Sequence, residues 1–134
     1  MLSAELPVAK IDVVCREVID KSEWIAISTA GPDGPHVVAT WGDYVRALGI
    51  KDDMVLIPVG LMRKTEANLQ RDSRVELLCG SRQVQGTRGP GKGCALIGKG
   101  QFHTEGPLFD AVKAKFPWAR AALVVTVEEA KPQL

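Results

Sequence analysis

The chain is 134 residues long, which fits a single domain over residues 1–134 with room for a real core. Apolar residues make up 46% and charged residues 25%, ordinary globular usage with no disorder signature. Seventeen basic residues face sixteen acidic ones, a net charge of +1, and the basic residues are scattered. That excludes the clustered basic excess on which nucleic-acid binding depends.

Nothing approaches the ~20 apolar residues needed to cross a bilayer. Met1 to Lys10 has no basic start followed by an apolar stretch, so no signal peptide is expected and a cytoplasmic location is. Cys15, Cys79 and Cys94 are odd in number and form no C-x-x-C pair. Each lies in apolar company, so three buried free thiols in a reducing compartment are expected.

In chain order, Val8, Ile11, Val14, Cys15, Val18 and Ile19 recur at helical spacing, which predicts an amphipathic helix entered through Pro7. Trp24 to Thr29 reads as a strand, Gly31-Pro32-Asp33-Gly34 as a turn, and His36 to Trp41 as the returning arm of a hairpin. Met54 to Val59 is a continuous apolar strand ending at Gly60. Lys64 to Arg71 predicts a short helix that exits at Asp72-Ser73, and Arg74 to Cys79 another strand. Gly86 to Gly93 reads as a loop. Cys94 to Thr104 resumes strand character, with Gly98 and Gly100 marking a bulge or a close backbone approach. Gly106-Pro107 opens a helix with Leu108, Phe109, Val112 and Phe116 on its apolar face, and Ala121 to Val127 is the last strand. About six unevenly spaced strands with two or three short helices predict a mainly β chain, an antiparallel barrel with helical excursions.

Several signals do not survive inspection. Gly86 to Gly93 spells most of a phosphate-binding P-loop, but position 93 is glycine where the magnesium-binding hydroxyl belongs, and a strand follows instead of a helix. His36 and His103 lie far apart and make no metal-ligand set with the cysteines. Ser28 and Ser73 sit in no nucleophile-elbow context. No catalytic residue and no metal ligand can be named.

Two segments do stand out. Ile57 to Thr65 runs from a strand end through Gly60 and Leu61 into a helix start. Unsatisfied N–H groups there, the Lys64 charge and the Thr65 hydroxyl have the chemistry of a monophosphate site. A threonine N-cap beside a solvated lysine reads the same way. Val37-Val38-Ala39-Thr40-Trp41, with Tyr44, suits a planar heterocycle, and reads equally as a half-buried strand with Trp41 in the core.

Together these segments are similar to a known pattern. Asp33-Gly34-Pro35-His36, Val38, Thr40-Trp41, then Pro58-Val59-Gly60, Met62 and Lys64-Thr65-Glu66-Ala67-Asn68 resemble the small bacterial FMN-binding proteins of the pyridoxamine 5′-phosphate oxidase-like superfamily. The likeness continues through Gly80-Ser81-Arg82, Gly89-Pro90-Gly91, Gly93 and Trp118 to Val124, and ends at Leu134. It covers nearly everything after the first helix. The resemblance implies a flavin-binding split β-barrel, dimeric, with one FMN per subunit at the interface. It implies that Lys64 and Thr65 hold the phosphate with Arg63 as a helper, and that Pro58, Val59, Gly60 and Leu61 line the flavin. Ala39, Thr40 and Trp41 would flank the isoalloxazine, Trp41, Tyr44 and Trp118 would be its aromatic neighbours, and Leu134 of the partner subunit would cover it. Two departures are Ala39, where the family member it resembles carries asparagine, and a slightly longer Arg46 to Asp53 segment.

The functional expectation is electron transfer or flavin-dependent oxidoreduction, with a redox partner or small-molecule electron donor that the sequence does not identify; whether there is enzymatic turnover stays open. The alternatives are a flavin carrier or sensor without turnover, or the same fold holding haem, pyridoxal phosphate or a deazaflavin. An open polar pocket above the ring separates the first two.

Overall fold

A computed structural model describes residues 9–134. Its seven strands form one antiparallel sheet in the order β2-β1-β5-β6-β7-β4-β3, with four helices set around it. The strands are β1 (Trp24–Gly31), β2 (Gly34–Trp41), β3 (Ile50–Lys51), β4 (Met54–Val59), β5 (Arg74–Gln85), β6 (Pro90–His103) and β7 (Ala121–Gln133). The helices are α1 (Val13–Lys21), α2 (Gly42–Leu48), α3 (Arg63–Arg71) and α4 (Pro107–Lys115). β5, β6 and β7 are long enough to curl, and α3 packs against both β1 and β6, so the sheet wraps around its main core as a split barrel. That core includes Ile25, Ile27, Ile57, Leu77, Leu96 and Leu123, and a smaller apolar cluster of Leu56, Val112 and Val124 lies under α4.

Several boundaries differ from expectation. The amphipathic periodicity suggested that α1 begins near Pro7, but the helix starts at Val13 behind Asp12, whose carboxylate accepts the Cys15 N–H at 2.8 Å. Pro7 and Val8 lie outside the described residues. Asp53 holds the segment before α1, accepting from the Lys10 and Ile11 N–H groups at 2.9 and 3.1 Å. A fourth helix, α2, occupies the segment after Trp41. Glycine is required at its start, because a Cβ at Gly42 would strike the Ser22 carbonyl at 2.0 Å. β6 begins at Pro90, so the glycine-rich loop shrinks to the hairpin connection after Gln85. The bulge expected at Gly98 is present. The β6–β7 register shifts between Ile97 and Gly98, and a Cβ at Gly98 would lie 2.0 Å from the Thr126 carbonyl.

The cysteines correct the free-thiol expectation. Cys15 of α1 and Cys94 of β6 form a disulfide that ties the first helix to the barrel, and only Cys79 is a free thiol. Burial pushes the Cys79 thiol up to about 11, against a smaller opposing effect of the Ser22 hydroxyl. The bridge follows from packing. α1 lies on β5 and β6, and Cys15 and Cys94 are both sealed in the core it covers. Among the described residues no helix is long and apolar enough to cross a membrane, and no cluster of three potential metal ligands occurs.

Candidate cofactor site

β4 delivers the chain to the site. Its apolar run is buried from Val55 to Val59 because β7 flanks it, pairing Pro58 with Ala122 and Val59 with Ala121. After Val59 the chain leaves the sheet through Gly60 and Leu61 to Met62, which sits in the left-handed region at φ 51°. Helix α3 then begins at Arg63. Met62 occupies its N-cap and offers no side-chain acceptor, so the first-turn N–H groups lack the usual cap. Thr65 is therefore not the N-cap but the third helical residue. It is completely buried, and its Oγ1 is the one buried side-chain polar atom among the described residues with no hydrogen-bond partner. A buried hydroxyl without a partner costs about 1–3 kcal/mol and calls for an explanation.

Lys64 is exposed and lines a cleft of about 420 Å³ between α3 and the β1–β2 turn, together with His36, Asn68 and Arg71. Asn68 is buried and donates to Thr29 Oγ1 at 3.0 Å, which fixes α3 against β1. An uncapped helix start, an unpartnered hydroxyl and a lysine with no ion pair among the described residues make a donor set suited to a phosphate. The residues present fit the phosphate end of FMN.

The aromatic neighbours gather at the other side of the turn. Trp118 lies over Gly60, where a Cβ would meet its Cζ3 at 3.5 Å. Tyr44, Phe116 and Trp118 form a tilted trio with ring centroids 4.9 to 5.7 Å apart. α2 brings Tyr44 there, an arrangement that the strand pattern alone does not anticipate. Trp118 stays 51% exposed although its ring is large and apolar.

Along β2, alternation splits the predicted neighbours. Thr40 turns inward opposite Ile25 and is buried, while Ala39 and Trp41 face outward opposite Ala26 and Trp24. Trp41 is 53% exposed, so it is not a core residue. Trp24, directly across from it and equally exposed, extends the aromatic face and was not among the expected site residues. Leu78, opposite Ala26, continues this outward apolar surface onto β5.

Leu134 stands apart from Gly60 to Thr65. β7 starts beside Val59 and ends at Gln133, opposite Gly93, so Leu134 follows the other end of that strand. There Leu134 shares a cleft with Trp24, Leu78 and Cys79. The glycine-rich loop pins it, because the Thr87 N–H donates to the Leu134 carbonyl at 2.8 Å.

Arg120 is a second residue that the sequence reading passed over. Its Nε donates to the Gly60 and Leu61 carbonyls at 3.1 Å each, and its guanidinium pairs with Glu66 at 3.1 Å.

Comparison with known proteins agrees with this architecture. The pyridoxamine 5′-phosphate oxidase family profile matches residues 11–133. Over 118 residues the chain is 48% identical to the FMN-binding protein of Nitratidesulfovibrio vulgaris (strain DSM 19637 / Miyazaki F), covering 88% of this chain and 94% of that one. Solved structures share the fold at low identity. HupZ of Group A Streptococcus superposes with a TM-score of 0.75 at 17% identity, covering 92% of this chain and 99% of its own. A putative pyridoxamine 5′-phosphate oxidase of Lactobacillus delbrueckii gives 0.67 at 16%, covering 94% and 97%. The predicted split-barrel class is therefore observed, and the chain belongs to the pyridoxamine 5′-phosphate oxidase family.

Proposed function

We propose that this protein binds one FMN per subunit and uses it for electron transfer or flavin-dependent oxidoreduction. The observation that carries the reading is the partnerless Thr65 hydroxyl beside Lys64 at the uncapped start of α3. It is supported by the 48% identity to an FMN-binding protein over most of both chains. Lys64, Thr65 and the first N–H groups of α3 hold the phosphate. Pro58, Val59, Gly60 and Leu61 run beside the flavin, and Trp41, Tyr44 and Trp118 flank its ring. Ala39 and Thr40 complete that wall, Thr40 from its inner side. When bound, the flavin supplies the electron-accepting chemistry, and the protein supplies orientation and exclusion of water.

The site is completed by a second copy. Trp24, Trp41, Val37 and Leu78 leave one outward sheet face apolar, and such a face marks an interface. Leu134, 79% exposed at the far end of β7, covers the neighbour's flavin in this arrangement. A twofold dimer uses both surfaces at once.

Chromatography of the chromophore released by acid tests the cofactor: FMN supports the reading, and FAD or an inability to load flavin refutes it. Light scattering on the loaded protein tests the assembly, with a mass near the 14.5 kDa of one chain counting against the dimer. Bleaching by NADH or NADPH without air separates turnover from a carrier.

A further inference from the structure

The turn that leads into α3 is held from outside by a single side chain. Besides the two carbonyl contacts of Nε, Arg120 Nη2 also donates to the Leu61 carbonyl, and the Arg120 backbone N–H donates to the Val59 carbonyl at 2.8 Å. Three consecutive carbonyls, of Val59, Gly60 and Leu61, are therefore drawn towards one residue. Every described peptide is trans, so the N–H groups of Leu61 and Met62 are turned away from the guanidinium. The ring of Phe102 lies 5.8 Å below the guanidinium carbon.

The same guanidinium faces Glu66. That carboxylate sits in the first turn of α3, one residue beyond Thr65, where its charge opposes any phosphate bound at the helix start. Arg120 pairs with it at 3.1 Å while mostly buried. Arg63 also reaches it, but at 3.9 Å from an exposed position that water screens.

We propose that Arg120 is a positioning residue for the phosphate. It fixes the Gly60–Met62 turn and cancels the Glu66 charge, and so sets the preference for a phosphorylated flavin over riboflavin. This inference rests on the FMN reading above. It makes Arg120 act through the turn and through Glu66, without touching the ligand. Lysine is a poor replacement, because its donors radiate from one nitrogen and lack the planar fork by which Nε and Nη2 reach the two carbonyls and the carboxylate.

The test is to titrate FMN and riboflavin separately into apoprotein of the wild type, Glu66→Gln, Arg120→Lys and the double variant, and compare the ratio of the two affinities. Glu66→Gln is a mild change that leaves Arg120 in place. It is expected to raise the FMN-to-riboflavin ratio about three- to tenfold, because the Arg120 charge is then uncompensated. Arg120→Lys is expected to lower the ratio about tenfold, and adding Glu66→Gln to recover part of the loss. If Arg120 only braces the fold, both flavins weaken in parallel and the ratio holds in every variant, which overturns the proposal. A wild type that binds riboflavin as tightly as FMN overturns the phosphate site itself, an outcome distinct from unchanged ratios in a wild type that prefers FMN.

Discussion

Thr65→Val separates a cofactor hydroxyl from an ordinary structural one, because it predicts effects of opposite sign on stability and binding. Valine has nearly the shape of threonine and the same branching, so packing around the buried side chain is preserved. What changes is the hydroxyl, which is sealed from water and has no partner without ligand. An unpaired buried polar group costs about 1–3 kcal/mol, so removing it should stabilise the apoprotein by about 1–2 kcal/mol. For a domain of this size that raises Tm by about 3–8 °C. With FMN present the same hydroxyl donates to a charged acceptor, a bond worth about 1.5–3 kcal/mol, so affinity should fall about ten- to a hundredfold. Riboflavin affinity should stay nearly unchanged. Denaturant melts of the apoprotein, with fluorescence titration of both flavins, read all three quantities. A destabilised apoprotein would mean that the hydroxyl already has a partner. Unchanged FMN affinity would mean that the phosphate sits elsewhere.

Other expectations follow from the same geometry. Lys64→Ala should weaken FMN about ten- to a hundredfold and riboflavin less than about threefold, whereas Trp41→Ala should weaken both alike and raise flavin fluorescence; equilibrium titration separates them. Reducing the Cys15–Cys94 bridge, which closes a loop of sequence separation 79, should cost about 4–5 kcal/mol in a denaturant melt. Thiol counting under denaturing conditions should find one free cysteine before reduction and three after, with three beforehand refuting the bridge. For Asp53, burial raises the carboxyl, but the Lys10 and Ile11 N–H groups outweigh it, with smaller help from Arg16 and Lys10 charges, so the net shift is downward. A depressed folded-state value means that this carboxylate's stabilisation is complete above the ordinary carboxylate range and is lost as pH falls through the folded value. Asp53→Asn should flatten the acid side of the stability profile as pH falls below the ordinary carboxylate range, and an unchanged slope would show that the tether is irrelevant.

Much of the fold is legible where local physics decides it. Met54 to Val59 is apolar throughout because both its faces are covered, and Gly98 marks the β6 bulge because no side chain fits beside Thr126. Other elements are set by contacts far apart in sequence. β7 continues past Val127 through two glutamates because its outer side meets water while β6 pairs its backbone. α2 is too short, and opens with glycine, so its periodicity carries little signal. The Asp12 cap was readable, and the helical spacing of Val8 and Ile11 masked it. No spacing rule joins Cys15 to Cys94, since only the packing of α1 across β6 brings them together. At the site, Lys64 and Thr65 are visible as a helix start. The isolation of the Thr65 hydroxyl, the pairing of Trp24 with Trp41 and the reach of Arg120 to Leu61 are tertiary facts.

Whether the phosphate of FMN lies at the start of α3 is decided by a crystal structure of the flavin-loaded protein. Phosphate oxygens are expected to accept from Thr65 Oγ1, the Lys64 ammonium and the first α3 N–H groups, with Leu134 of the partner subunit over the ring. A phosphate bound instead at the Gly86 to Gly93 loop, or a flavin enclosed within one subunit, would contradict it.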